Sequence, residues 1–338
     1  MPLPTPAADP LSDVLGSVHL RGAVFYYVSF RDAWAAETPG SQALARALMP
    51  GAEHVLAYHL IARGDAWAAT DGVPPVRLAR GDIVMFPQGD HHVVSSAPGL
   101  HATPDDSDWR VTTRDDPKPI AVAYHHGVLR PGEPHPVDEA SAVVVCGFVA
   151  CDLKPFNPLI EALPRLLHLR ADGLGAWVAP MLDQAVAESM RSRPGSAAVL
   201  ERVSEMVFVD AARRWFEQLP EGSGGWLGGL RDRQVGRALA LLHARAAEPW
   251  TLEALGREAG LSRSALHERF QRFVGLAPMQ YLANWRMQLG AGLLRDGHAT
   301  VAAIAQDVGY DSEAAFARAF KRATGVPPAA WRRRLGGR

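Results

Sequence analysis

Thr251-Leu252-Glu253-Ala254-Leu255-Gly256-Arg257-Glu258-Ala259-Gly260-Leu261-Ser262 runs into Arg263-Ser264-Ala265-Leu266-His267-Glu268-Arg269-Phe270-Gln271-Arg272-Phe273-Val274-Gly275. Some fifty residues later the same punctuation returns. Thr300-Val301-Ala302-Ala303-Ile304-Ala305-Gln306-Asp307-Val308-Gly309-Tyr310-Asp311 leads into Ser312-Glu313-Ala314-Ala315-Phe316-Ala317-Arg318-Ala319-Phe320-Lys321-Arg322-Ala323-Thr324-Gly325. Each copy reads as a short helix capped by threonine, a tight turn at glycine, and a second helix started by serine. In the first copy Leu266, Phe270 and Phe273 fall at i, i+4 and i+7, the spacing of a buried helical stripe. That leaves Arg263, Ser264, His267, Glu268 and Arg272 on the outer side. In the second copy Phe316 and Phe320 turn inward, and Ser312, Glu313, Ala314, Arg318, Lys321 and Arg322 remain for solvent or DNA. Pro278 to Arg295 reads as one long helix holding the two units apart, with Pro278 suited to its first turn. Two helix-turn-helix units in tandem imply a grip on two neighbouring stretches of DNA major groove.

The charge distribution agrees with that assignment. The net charge of −1 over 338 residues hides about 17 Lys or Arg against 9 Asp or Glu from Arg231 onward, a balance of +8. The remainder therefore carries about 18 against 27, or −9. A basic block on an acidic body fits a nucleic-acid-binding domain attached to a sensor. No run of 18 apolar residues is present, so no membrane span is expected. The N-terminus Met1-Pro2-Leu3-Pro4-Thr5-Pro6 lacks the pattern of a secretory signal. Two cysteines, Cys146 and Cys151, cannot staple a scaffold, and a cytoplasmic protein is expected.

Upstream of the helical block the texture is different. A short helix is expected around Leu11–Val18, then strands at Ala23–Val28, His54–Ile61, Asp82–Phe86 and Ala142–Val149, the short-strand pattern of a barrel or sandwich. Ser96–Pro136 reads as loops with a strand or two. Leu174–Met190 and Ala197–Leu219 show helical spacing and read as an antiparallel pair, part of the core or the face that meets a second subunit. Pro180 kinks the first of these or marks its first turn. Pro220-Glu221-Gly222-Ser223-Gly224-Gly225 reads as a flexible linker.

These residues carry a family resemblance. Leu266-x-x-Arg269-Phe270, Gly275-x-x-Pro278-x-x-Tyr281, Arg286, Leu293-Leu294, Ile304-Ala305-x-x-Val308-Gly309-Tyr310, Phe316, Phe320-Lys321-Arg322 and Gly325-x-x-Pro328 resemble the AraC/XylS family of transcriptional regulators. The resemblance covers about Arg231–Arg334. It implies Arg263, Ser264, His267 and Glu268 facing bases from the first recognition helix and Glu313, Ala314 and Arg318 from the second. It also implies Arg272, Lys321 and Arg322 nearer the phosphates. Gly81-Asp82-Ile83-Val84-Met85-Phe86-Pro87-Gln88-Gly89-Asp90-His91-His92-Val93, Val145-Cys146-Gly147, Asn157-Pro158-Leu159, Leu163-Pro164 and Gly225-Trp226-Leu227-Gly228 look like the cupin-type sensor module that precedes such DNA-binding domains. That resemblance implies a small jelly-roll barrel.

The expected fold class is therefore α+β. A cupin-like sensor over residues 9–170 is followed by a helical dimerisation region over 171–220 and a double helix-turn-helix domain over 230–335. The expected partners are promoter DNA, a small-molecule or other effector, RNA polymerase and a second copy of the chain. An enzyme is not expected: Trp67, Ala69 and Asp71 stand where catalytic cupin ligands would be sought, and His54 and His59, five apart, fall on opposite faces of a strand. Nine of the thirteen histidines precede residue 140, so zinc or another transition metal on His91, His92 and Cys146 is a competing reading. Against it, neighbouring histidines on a strand point to opposite faces. A redox pairing of Cys146 with Cys151 would require a chain reversal, since one continuous strand separates them by roughly 16 Å. Phe25, Tyr26, Tyr58, Trp67 and Phe86 fit either a ligand pocket or a core.

Overall fold

A computed structural model describes residues 9–18, 20–102, 120–125, 128–131, 135–136, 139–173, 180–181, 184, 187–188, 194–297 and 299–336. The chain divides into two compact units. One holds residues 19–152 and Leu163–Trp215. The other is discontinuous: the stretch ending at Val18, Leu153–Ala162, and everything from Phe216 onward.

The first of these is built on two sheets. Strands β1 (Arg21–Phe30), β2 (Ala35–Thr38), β3 (His54–Arg63), β4 (Ala66–Thr70), β5 (Val73–Leu78), β6 (Ile83–Phe86), β7 (His92–Ser95), β8 (Ile120–His125), β9 (Val128–Pro131), β10 (Ala142–Cys151) and β11 (Leu167–Leu169) form them. The seven-stranded sheet runs β11-β6-β3-β10-β1-β8-β9 and the four-stranded one β2-β7-β4-β5. All pairings are antiparallel except β1 with β8. Pro74 and Pro75, which cannot donate to a ladder, sit on the edge strand β5.

Strand alternation sorts the inner face. Tyr26, Val28 and Phe30 of β1, Val55, Ala57 and Ile61 of β3, and Val144, Cys146 and Phe148 of β10 enter one core with Ala68, Phe86 and Val94. Tyr26 and Phe86 are thus core residues. Every residue of β10 is buried, so both its faces are covered. Gly147 shows how: a Cβ there would lie 2.2 Å from the ring of Tyr58. The Tyr58 hydroxyl in turn hydrogen-bonds Ser204 at 2.9 Å. Ser204 belongs to the 23-residue helix Ser196–Gln218, whose Leu200, Val203, Val207 and Ala211 are buried as their spacing requires. Most of the helix expected over Leu174–Met190 lies outside the described residues, as do His126 and the side chains of Phe25 and His125.

In chain order the helices are α1 (Pro10–Ser17), α2 (Ser41–Leu48), α3 (Pro158–Ala162), α4 (Ser196–Gln218), α5 (Gly225–Arg231), α6 (Arg233–Ala244), α7 (Leu252–Ala259), α8 (Arg263–Val274), α9 (Pro278–Asp296), α10 (Val301–Asp307), α11 (Glu313–Thr324) and α12 (Pro328–Gly336). The glycine-rich stretch read as a linker passes at Gly225 into α5. Burial of Trp226 and Leu227 holds this glycine-rich segment helical against its weak intrinsic propensity.

Candidate nucleic-acid interface

Helices α7–α8 and α10–α11 form the two helix-turn-helix subdomains, with α9 joining them. The four expected caps are in place: Thr251, Ser262, Thr300 and Ser312 accept hydrogen bonds from the backbone of Ala254, Ala265, Ala303 and Ala315. Leu266, Phe270 and Phe273 anchor α8, while Phe316 and Phe320 anchor α11 in a core with Met287, Ile304 and Val308. With those stripes buried, Arg263, Ser264, His267, Glu268 and Arg272 are all exposed on α8. Ser312, Glu313, Ala314, Arg318, Lys321 and Arg322 are exposed at and along α11.

Polar braces fix these helices from behind. Arg286 on α9 donates to the carbonyls of Ala246 (2.7 Å), Glu248 (2.7 Å) and Gly309 (3.1 Å), tying the loop before α7 to the turn after α10. Gly309 is left-handed at φ 81°, and a Cβ there would lie 2.4 Å from the carbonyl oxygen of Ala247. Only glycine permits both the turn and that approach. Arg269 forks onto Asp232, the cap of α6, at 3.0 and 2.5 Å. Burial pushes the Asp232 carboxyl up, but hydrogen bonds from Arg269 and from the backbone of Val235 and Gln234 outweigh it and hold it below the usual carboxylate range.

The unit also incorporates α1 and α3. Trp226 Nε1 donates to the Tyr281 hydroxyl (2.9 Å), which donates to His243 Nε2 (2.8 Å), while His243 Nδ1 donates to the Asp13 carboxylate (3.1 Å). The carboxylate, an acceptor only, fixes this direction of donation. Burial lowers the pKa of His243, partly opposed by Asp13. Gln288 on α9 donates to the Ser17 carbonyl (3.0 Å) and accepts from the Phe156 backbone (3.1 Å). None of these links was legible from sequence spacing, because each joins segments more than a hundred residues apart or depends on a helix face meeting another.

In the strand-rich unit, the residues considered for metal separate. His91 is exposed beside Glu37 at 3.1 Å, whereas His92 is buried. His92 and Cys146 approach the same ring, His59, which lay outside the expected set. His92 Nδ1 donates to the Asp90 carbonyl (2.9 Å), so its Nε2 accepts from His59 Nε2 (2.8 Å), leaving His59 Nδ1 to accept from the Cys146 thiol (3.0 Å). The chain is satisfied with every member neutral. Burial lowers His59 to about 3, lowers His92 well below its ordinary value, and pushes the Cys146 thiol up to about 12. Both ring nitrogens of His59 are occupied, and His91 faces away, so the structure does not assemble His91, His92 and Cys146 as ligands. No group of three or more His, Cys, Asp or Glu among the described residues is arranged to hold a metal ion. Cys146 and Cys151 lie on the single strand β10, both free and buried, with no chain reversal between them.

Comparison with known proteins supplies the family. A family profile described as "Cupin" matches residues 9–217, and one described as "Helix-turn-helix domain" matches residues 255–334. A putative AraC-like transcription regulator of Streptomyces lividans is 30% identical over 327 residues, covering 96% of this chain and 98% of that protein. The chain belongs to the AraC-like transcription regulators. The regulator AlkR of Acinetobacter baylyi is 28% identical over 318 residues, covering 93% and 95% of the two chains. The DNA-binding domain of AdpA, solved in complex with a target DNA, is 28% identical over 31% of this chain and 95% of that one, with a TM-score of 0.30. As an AraC-like regulator the protein binds DNA and regulates transcription, with a cupin domain preceding its helix-turn-helix domain. No helix among the described residues is long and apolar enough to cross a membrane.

Proposed function

We propose that this AraC-like regulator reads promoter DNA through both subdomains at once, as a dimer whose activity an effector controls through the cupin domain. Base contacts are assigned to Arg263, Ser264, His267 and Glu268 on α8 and to Glu313, Ala314 and Arg318 on α11, with Arg272, Lys321 and Arg322 on phosphates and Ser312 at the DNA-facing start of α11. The observation that carries this reading is the exposed face of α11. Arg318, Lys321 and Arg322 are exposed and make no ion pair or hydrogen bond among the described residues, above a stripe locked by Phe316 and Phe320. Unpaired guanidinium groups on a rigid helix suit bidentate donation to guanine and neutralisation of phosphates. Glu268 suits a cytosine N4 amino group.

Dimerisation is assigned to α4. Val199 and Met206, two helical turns apart, are each 45% exposed on it. Full-length similarity to transcription regulators supports action on RNA polymerase at the bound promoter, in the cytoplasm, and not as an enzyme. The test is binding of Arg318→Ala to its operator and to a series with each base pair substituted in turn. Relaxed discrimination at one or two positions, worth about 1–3 kcal/mol, is expected. A uniform loss at every position would make Arg318 a phosphate contact.

A further inference from the structure

The discontinuous unit carries a cleft of about 400 Å3 that the DNA-reading role does not use. Phe156 and Glu161 come from the Leu153–Ala162 stretch, Trp226 from α5, Val274 and Leu276 from the exit of α8, and Asn284 from α9. Its volume falls within the range of small-molecule sites, which combine apolar walls with a few polar groups. Trp226 and Phe156 are held in place: the indole N–H is spent on Tyr281, and Phe156 packs edge-on to the Tyr281 ring at 5.3 Å. Both therefore offer carbon surface to the cleft.

The polar groups give it a sign. Among the residues lining the cleft Glu161 is the one ionisable group; it is exposed and has no partner among the described residues. The oxygen of Asn284 accepts from Gln280 at 2.9 Å, leaving its amide hydrogens to donate. With one carboxylate and no cation in its lining, the cleft carries negative charge in a unit otherwise rich in arginine.

We infer that this cleft is a binding site for an amphipathic organic cation, an aryl or alkyl amine whose ammonium pairs with Glu161 and whose apolar body lies against Phe156, Trp226 and Leu276. An ammonium gains both from the carboxylate and from neighbouring ring faces, each contribution modest where water has access. The site lies wholly within the discontinuous unit and does not depend on which bases the regulator reads. Its position gives it a consequence, because Val274, Gly275 and Leu276 are where the first recognition helix ends. A bound amine would fasten the Leu153–Ala162 stretch to that exit.

Titration calorimetry on the full chain tests this with 4-phenylbutylamine, neutral 4-phenylbutanol and anionic 5-phenylpentanoate. The amine is expected to bind about tenfold more tightly than the alcohol, with the carboxylate weakest. Glu161→Gln, at an exposed position, should bring the amine down to the alcohol's affinity while leaving the alcohol unchanged. Leu276→Trp, which fills the cleft, should weaken all three, with retention of the wild-type thermal midpoint confirming that the variant is folded. Equal affinity for amine and alcohol, a preference that survives Glu161→Gln, or no binding at millimolar concentration would overturn the proposal.

Discussion

The two helix-turn-helix subdomains share caps, turns and buried stripes, yet they spend their arginines differently. In the first half, Arg263 pairs with Glu253 (3.1 Å), Arg245 with Glu258, and Arg269 with Asp232. Arg272 lies over the Phe273 ring at 4.7 Å. In the second half, Arg318, Lys321 and Arg322 have no such partners among the described residues. The first half is also braced by α1, whose Asp13 meets His243 and through it Tyr281, whereas the second rests on the apolar core around Phe316. One repeated sequence pattern thus carries two electrostatic arrangements. The first half is a clamped platform with mixed charge, and the second leaves Arg318, Lys321 and Arg322 exposed and without ion pairs among the described residues.

The largest expected effect would break the second half alone. Phe316 is fully buried, and Gly290 on α9 is so close that a Cβ there would lie 2.9 Å from its ring. Phe316→Ala should cost about 3–5 kcal/mol in chemical denaturation, since the helices cannot close the gap without moving. If α7–α8 is independently braced, its amide protection should survive while that of α11 falls.

A smaller effect separates base contacts from phosphate contacts on α11. Arg318→Ala should lose about 1–3 kcal/mol at specific base pairs. Lys321→Ala should instead flatten the dependence of log affinity on log salt by about 0.9. Equal salt slopes for Lys321→Ala and the wild type would remove Lys321 from the phosphate contacts.

Acid should act on the first half and spare the second. Burial holds the pKa of His243 below its ordinary 6.5. The folded state refuses a proton that the unfolded chain accepts, so stability is unaffected above that value. It falls as pH drops through 6.5 towards the lower folded value, by at most about 1.4 kcal/mol per pH unit. Hydrogen exchange at pH 7 and pH 5 should show α6 loosening ahead of α11, whose subdomain has no buried histidine among the described residues. The same sign applies to His59, whose folded value of about 3 extends the loss of stability in the strand-rich unit across the range from 6.5 to 3.

The smallest effect concerns Glu253. Its bridge to Arg263 joins side chains 57% and 70% exposed, so Glu253→Gln should change stability by less than about 1 kcal/mol. DNA affinity should rise slightly, because a negative charge is removed beside a cation assigned to DNA. A melting curve paired with a binding titration checks both.

Local rules carried the sequence reading far in the helical block. Caps, glycine turns and the i, i+4 stripes are properties of neighbouring residues, and Thr251, Ser262, Thr300 and Ser312 act as read. Strands β1, β3, β6 and β10 were visible for the same reason. Helix α5 was not, because its glycines signal a linker and only the tertiary burial of Trp226 overrides them. The Cys146–His59–His92 chain was invisible because it depends on pairing register: Cys146 opposes His59 across β10 and β3, which no periodicity reveals. Arg286 was visible as a motif position, but its work on three backbone carbonyls required the fold. The recruitment of α1 and α3 into the DNA-binding unit rests on contacts such as Asp13 to His243, 230 residues apart.

Both halves are proposed to enter DNA together. Base-protection footprinting of the full chain on its operator, read for the wild type and for Arg318→Ala, tests it most directly. Two protected major-groove segments about one helical turn apart are expected for each protomer, with Arg318→Ala exposing one and leaving the other. A single protected segment per protomer, unchanged by Arg318→Ala, would contradict it.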